Sequence, residues 1–420
     1  MPSRALSRLL LSGLTLASAG GCAPARPAAA VEHGTPGAPG QGGPSPAPRA
    51  AQVSGGVTSV SPDASAPCAR PPRRDGEAVL AFGGDVIAHE ALRDIARGSS
   101  PSEEGALPGY RAMLAGARAA FRGADLAFVN LESPVTSRSA RRGDLIFHAD
   151  EPMLAALAET GVRVVSVANN HAYDQGPRGL ADTLEATSRL RVERVGAATT
   201  LRDACAPVFV TVRGIKIAFL ARTLYMNFKD DGPPHVCMLA RGPLERAARA
   251  ARASGAELVI ASLHWGDEYR TEPDPGAVAF ARHVVGAGVD VVVGHHPHVL
   301  QRVERVSGGG REALIAYSLG NLLSNQGHDY DPGSKPERAG DTRDVAVLRV
   351  AVGRAGDGSV RVRDVSAVPL WTERSAGAIT LVPATTRRAR VAARLGVPLV
   401  DAPDDACAHA AGLGEPAAGE

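Results

Sequence analysis

Five apolar runs in this chain each end in a short polar motif, and that repeated junction limits the possible folds more than any other feature. The runs cover residues 79–82, 125–129, 162–167, 257–263 and 289–293. Rich in Val, Ile, Leu and Ala, they read as strands buried on both faces of a largely parallel sheet. The motifs that follow are Gly84-Asp85, Asn130-Leu131-Glu132, Asn169-Asn170-His171 with Asp174, His264-Trp265-Gly266, and Gly294-His295-His296-Pro297-His298. In an open α/β sheet the C-terminal strand ends face the crevice where ligands bind. Carboxylate, carboxamide and imidazole groups delivered repeatedly to that edge point to a metal centre.

Helical stretches are expected between these strands, at residues 110–121, 151–159, 179–189 and 243–253. Hairpins interrupt the alternation: residues 207–220 around Arg213-Gly214, residues 301–317 around Gly308-Gly309-Gly310, and residues 344–368 around Gly356-Asp357-Gly358. Strand-helix units broken by hairpins imply a two-sheet core with helices outside. The folded domain is expected over 76–372, with a C-terminal helix and loose tail over 373–420.

The N-terminal 22 residues have the three-part form of an export signal: Arg4 and Arg8, an apolar stretch over 9–19, then small residues before Cys22. Ala19-Gly20-Gly21-Cys22 resembles a bacterial lipobox, which makes Cys22 the expected lipidation site and the outer face of the membrane the expected location. Simple secretion and an uncleaved anchor are the alternatives. Residues 23–75, rich in Pro, Ala, Gly and Ser, are expected to form a flexible linker, because they offer too little apolar surface to offset ordering entropy. No later run reaches about 18 apolar residues, so no later membrane-spanning helix is expected. Cys68, Cys205, Cys237 and Cys407 could form two disulfides. Cys68–Cys407 would tie the ends of the folded region and Cys205–Cys237 would close a loop; free buried thiols are the alternative.

Some functions are disfavoured by composition. With 46 basic and 44 acidic residues, a formal charge of +2 and 4% aromatics, the chain has neither the charge nor the stacking surfaces of a nucleic-acid binder. No Gly-x-Ser-x-Gly elbow follows a strand, and no phosphate loop ends in Gly-Lys-Ser/Thr. Oxygen and imidazole ligands without cysteine suit Mn, Fe, Zn or Mg, as one or two ions. Asp85 follows two glycines that permit close backbone approach. Glu132 could bridge two ions, with Asn130 on the same side of its strand. Asn170 offers a neutral oxygen, and Asp174 could orient His171 as an acid. His264 ends a strand, and the spacing of His296 and His298 would place both on one side of an extended strand. Asn169, His295 and Asn321, in Tyr317-Ser318-Leu319-Gly320-Asn321, could line the pocket. Arg141 and Arg142 could attract an anion.

Taken in order, these motifs resemble the CapA/PgsA capsule-synthesis family, across roughly residues 78–330. That family is similar to the calcineurin-like metallophosphoesterases, which implies a four-layer α/β/β/α sandwich. The resemblance implies Asp85, Glu132, Asn170, His264, His296 and His298 as metal ligands and His171 as proton donor. It also implies a role at the cell envelope in making poly-γ-glutamate capsule, with the capsule polymer or synthase subunits as partners. The sequence departs from true phosphoesterases in lacking their Asp-x-His opening: Val86 and Ile87 follow Asp85, and His89 is the nearest substitute. A metal-dependent hydrolase or phosphoesterase is the leading expectation. The alternatives are a non-catalytic capsule-assembly subunit and a surface-binding lipoprotein.

Overall fold

The computed structural model describes residues 76–98, 104–308, 310–375 and 377–403. The signal peptide expected over 1–22 with Cys22, the linker expected over 23–75, Cys68, Cys407 and the last 17 residues therefore lie outside the described residues. Four parallel strands come first: β1 (Glu77–Val86), β2 (Leu126–Leu131), β3 (Val162–Ser166) and β4 (Glu193–Val195). A two-residue strand, β5 (Ala197–Ala198), follows. The hairpin β6 (Val208–Val212) and β7 (Ile215–Thr223) begins a second sheet, and β8 (His235–Val236) returns to pair with β5. β9 (Leu258–His264), β10 (Val291–His295), β11 (Val303–Gly308) and β12 (Arg311–Ala316) complete that second sheet, in the order β11-β12-β10-β9-β7-β6. The first sheet gains β13 (Asn321–Leu323), β14 (Asp344–Arg354), β15 (Val360–Ser375) and β16 (Ala378–Pro383), and runs β16-β15-β14-β1-β2-β3-β4 with β13 beside the end of β1.

Side-chain alternation in the second sheet shows how the layers stack. Ile217, Phe219 and Ala221 of β7 join the large core shared with the first sheet, whereas Ala218 and Leu220 join a second core. That period of two is what a strand covered on both faces must show. The second core is closed by Leu244, Ala248 and Ala251 of the helix Arg241–Ala253 and by Ala281, Val284 and Val285 of the helix Pro275–Gly286. Between the sheets, Phe128 of β2 stacks on Phe219 of β7 with ring centroids 5.8 Å apart. Burial of each such ring stabilises the sandwich by about 1.5–3 kcal/mol. Leu92, Tyr110, Phe121, Leu154 and Leu180, from helices between residues 90 and 189, also belong to the large core. The result is a four-layer α/β/β/α sandwich, as expected.

Three local expectations need correction. The helix expected over 110–121 is two helices, Leu107–Met113 and Ala115–Phe121, broken at Leu114, where ψ is 6°. The helix expected from 179 starts at Gly176, because Pro177 suits a first helical turn. The folded body continues past 372: β15 runs to Ser375, and β16 pairs antiparallel with it before the helix Arg388–Leu395. Alternating Ile379 and Leu381 are buried, so this stretch has strand periodicity. Cys205 and Cys237 form a disulfide with their Cα atoms 5.1 Å apart. Among the described residues, no helix is long and apolar enough to cross a membrane.

Candidate metal centre

Strand register brings the polar motifs together. At the strand ends Asp85 is opposite both Asn130 and Asn321, and His264 is opposite both His295 and Thr223. Two glycines make this approach possible. A Cβ on Gly84 would lie 2.0 Å from the Gly320 oxygen, and one on Gly294 would lie 1.8 Å from the Tyr317 oxygen. No side chain larger than hydrogen fits either point. Beyond β10 the chain turns sharply, with φ of +95° at His296 and +58° at His298. Such conformations cost non-glycine residues about 1–3 kcal/mol each and persist only where the surroundings enforce them. The two imidazoles are therefore brought to one side by a strained turn around Pro297, and not by the extended strand expected from their spacing.

Asp85 is fully buried and saturated with partners. Its Oδ1 accepts from Asn130 Nδ2 at 2.8 Å and lies 2.9 Å from His295 Nδ1, while Oδ2 accepts the His296 backbone N–H at 3.1 Å and lies 3.2 Å from His298 Nδ1. Burial alone would raise its pKa, but the hydrogen bonds and charges of His295 and His298 outweigh that and hold it well below the usual carboxylate range. Glu132 is the opposite case. Burial, followed by the negative charge of Asp85, pushes its pKa well above the ordinary value. Asn130 Nδ2 donates to Oε2 at 3.1 Å, whereas the buried Oε1 has no hydrogen-bond partner. It faces His264 Nε2 at 3.6 Å and His298 Nε2 at 3.9 Å.

An orphaned, fully buried carboxylate oxygen is costly unless something neutralises it. A divalent cation fits that requirement. Ligand atoms of Glu132, His264 and His296 lie within 4.8 Å of one another, as do those of Asp85, Glu132 and His298, and those of Glu268, His296 and His298. Atoms about 2.0–2.3 Å from a shared ion would themselves be roughly 3–4.6 Å apart. The imidazoles are also suited to ligation, which needs a neutral ring. Burial lowers His264 well below its ordinary pKa, and burial followed by the charge of His298 lowers His296 to about 4.

The remaining candidates surround this cluster. Asn170 Oδ1 lies 2.9 Å from His264 Nε2, and Asn169 Nδ2 donates to Asn130 Oδ1 at 3.3 Å and to the Leu131 oxygen at 2.9 Å. His171 Nδ1 is 2.8 Å from Asp174 Oδ2, which also accepts the Phe147 backbone N–H at 2.7 Å. Asn321 Oδ1 is 3.1 Å from His298 Nδ1. His295, expected at the pocket wall, is fully buried behind Asp85. His89 does not enter any of the three ligand groups; its ring packs 4.8 Å from Phe147, which packs 4.6 Å from His171. The rings of His89 and Phe147 border a cleft of about 1000 Å³ whose lining sets Arg93, Arg97, Arg141 and Arg142 beside Glu90, Asp94, Asp144 and Asp329.

Sequence reading missed Glu268, Tyr225 and Asn227. Glu268 stands two residues after His264-Trp265-Gly266, where its signal was no stronger than that of an exposed loop acid. Tyr225 packs its ring 4.7 Å from that of His296, and Asn227 Oδ1 accepts from Asn170 Nδ2 while its Nδ2 lies 3.2 Å from His171 Nδ1. Both lie in an irregular segment without periodicity, so only tertiary structure could reveal them.

The chain matches the family model of the bacterial capsule synthesis protein PGA_cap over residues 79–326, and belongs to that family. It is similar to the capsule biosynthesis protein CapA of Bacillus anthracis, 33% identical over 209 residues, which cover 47% of this chain and 50% of that protein. The PGA biosynthesis protein CapA of Bacillus subtilis is 30% identical over 247 residues, covering 56% of this chain and 59% of that protein. The chain thus spans about half the length of the curated relatives it matches. Among solved structures, it is similar to the calcineurin-like phosphoesterase YfkN of Bacillus subtilis, at 13% identity and a TM-score of 0.39, covering 72% of this chain and 95% of that one.

Proposed function

We propose that this protein is a cell-envelope component of poly-γ-glutamate capsule synthesis that works as a metal-dependent hydrolase or phosphoesterase. Membership of the capsule-synthesis family supports the biological setting. The lipobox-like Ala19-Gly20-Gly21-Cys22 supports a lipid anchor on the outer face of the membrane. The observation that carries the chemical reading is the orphaned Glu132 Oε1 facing two imidazole nitrogens.

Glu132, His264 and His296 would hold one ion, with Asp85, His298 and Asn170 in reach of the same ion or a neighbour. A divalent ion there supplies Lewis acidity to a substrate oxygen and acidifies water. The protein's own contribution is positional. Asp85 orients three groups at and just beyond the end of β10, namely the ring of His295, the backbone of His296 and the ring of His298. His171, with Nδ1 committed to Asp174, keeps Nε2 to give a proton to a leaving oxygen. Phe147 packs against the buried His171 ring at a tilt of 50°.

The test is turnover of an aryl phosphate by the purified full chain, alongside its metal content. Stoichiometric metal is expected, with kcat falling about 10²–10⁴-fold in His171→Ala, and turnover likewise lost in His264→Ala. Stoichiometric metal with no turnover of any phosphoester would favour an assembly subunit. Absence of metal together with silent substitutions would end the enzymatic reading.

A further inference from the structure

The segment 224–238, between β7 and the helix Arg241–Ala253, crosses the rim of the candidate metal centre and is fastened along its length. Leu224 N donates to the His264 oxygen at 2.9 Å, and Tyr225 Oη donates to the Gly266 oxygen at 2.8 Å. Further along, Tyr173 Oη donates to the oxygens of Gly232 and Pro234, and Cys237 is bonded to Cys205. Between these anchors, Asn227 N donates to the Asn170 oxygen at 3.0 Å. Its side chain then inserts between two site residues. Asn170 Nδ2 donates to Asn227 Oδ1 at 3.2 Å, and Asn227 Nδ2 lies 3.2 Å from His171 Nδ1.

We infer that Asn227 is a positioning residue that fixes the orientation of the Asn170 carboxamide, so that Asn170 Oδ1 and not its NH₂ group faces His264 and the cation pocket. This inference rests on reading the site as a cation centre. A carboxamide has one acceptor end and one donor end of nearly equal size, and only its hydrogen-bond partners decide which way it points. A cation accepts the oxygen end alone. With Asn170 Oδ1 at 2.9 Å from His264 Nε2, its Nδ2 needs an acceptor on the far side, and Asn227 Oδ1 is the acceptor found there. Without it, flipping the carboxamide would aim two N–H donors at the pocket. Groups that orient a ligand from behind typically govern metal affinity by 10–100-fold. Because Asn227 is itself exposed and lies outside regular structure, its replacement should leave the core intact.

The experiment is calorimetric titration of Mn²⁺ into the metal-free full chain, for the parent protein, Asn227→Ala and Asn227→Asp. Asn227→Ala removes the acceptor and should weaken Mn²⁺ binding about 10–100-fold, with the melting temperature of the metal-free protein unchanged. Asn227→Asp keeps an acceptor oxygen for Asn170 Nδ2 and should bind Mn²⁺ no weaker than about threefold below the parent. A general loss of structure would lower both variants together and shift the metal-free melting temperature, so the rescue by Asp separates positioning from folding. Parent-like binding in Asn227→Ala, or equal loss in both variants, overturns the role of Asn227 and leaves the cation centre standing. A parent chain that takes up no Mn²⁺ overturns the cation centre and this inference with it.

Discussion

Replacing Glu132 by Gln separates the electrostatic logic of the site from its packing, because the amide keeps the shape and loses the charge. In the metal-free protein the carboxyl is fully buried, has one unpartnered oxygen and is disfavoured in its ionised form by burial and by Asp85. Glu132→Gln should therefore be at least as stable as the parent without metal. With a cation at 100 times its dissociation constant, mass action adds about 2.7 kcal/mol to the parent. For a folded body of roughly 300 residues, an unfolding entropy near 2.1 cal/mol/K per residue converts this to about 4 °C in melting temperature. Loss of a direct ligand should cost at least the ~100-fold that loss of a supporting contact can cost. At the same free cation the variant would then gain only about 0.4 kcal/mol, well under 1 °C. Differential scanning fluorimetry with and without Mn²⁺ reads both quantities. A full 4 °C shift in Glu132→Gln, or a metal-free variant several degrees less stable than the parent, would refute this account of Glu132.

Two further outcomes follow from other parts of the fold. The Cys205–Cys237 bridge closes a loop with a sequence separation of 32, so its removal by Cys205→Ser with Cys237→Ser should cost about 3–4 kcal/mol in urea unfolding if loop closure dominates; no change would show that the segment 224–238 is held by its other anchors. Burial lowers His89 from 6.5 to about 4. Its depressed folded-state pKa makes a neutral ring part of the native state, so stability is full above pH 6.5 and is lost as pH falls toward 4, by about 3 kcal/mol. Urea midpoints between pH 7 and 4 should therefore slope less steeply in His89→Gln than in the parent, and parallel slopes would contradict the assignment.

The sequence made the sheet edge legible because a parallel strand buried on both faces has no polar residue until it reaches the crevice. Asp85, Asn130, Glu132, His264 and His295 stand at such exits, and register did the rest. What stayed hidden is what register does not control. The joint presentation of His296 and His298 depends on positive φ at both, which no period announces. Burial of His295 behind Asp85 depends on a contact across 210 positions of sequence. Asn227 and Tyr225 sit in an aperiodic segment whose course is set by a disulfide and a few backbone hydrogen bonds. The edge strand Ala378–Pro383 was masked by Ala-, Pro- and Arg-rich surroundings that read as a tail.

Crystals of the full chain grown with Mn²⁺ would test the central claim most directly, through an anomalous difference map. The account expects a peak within coordination distance of Glu132 Oε1 and of ring nitrogens of His264 and His296. A peak confined to surface carboxylates, with Glu132 Oε1 bonded to a protein group instead, would contradict it.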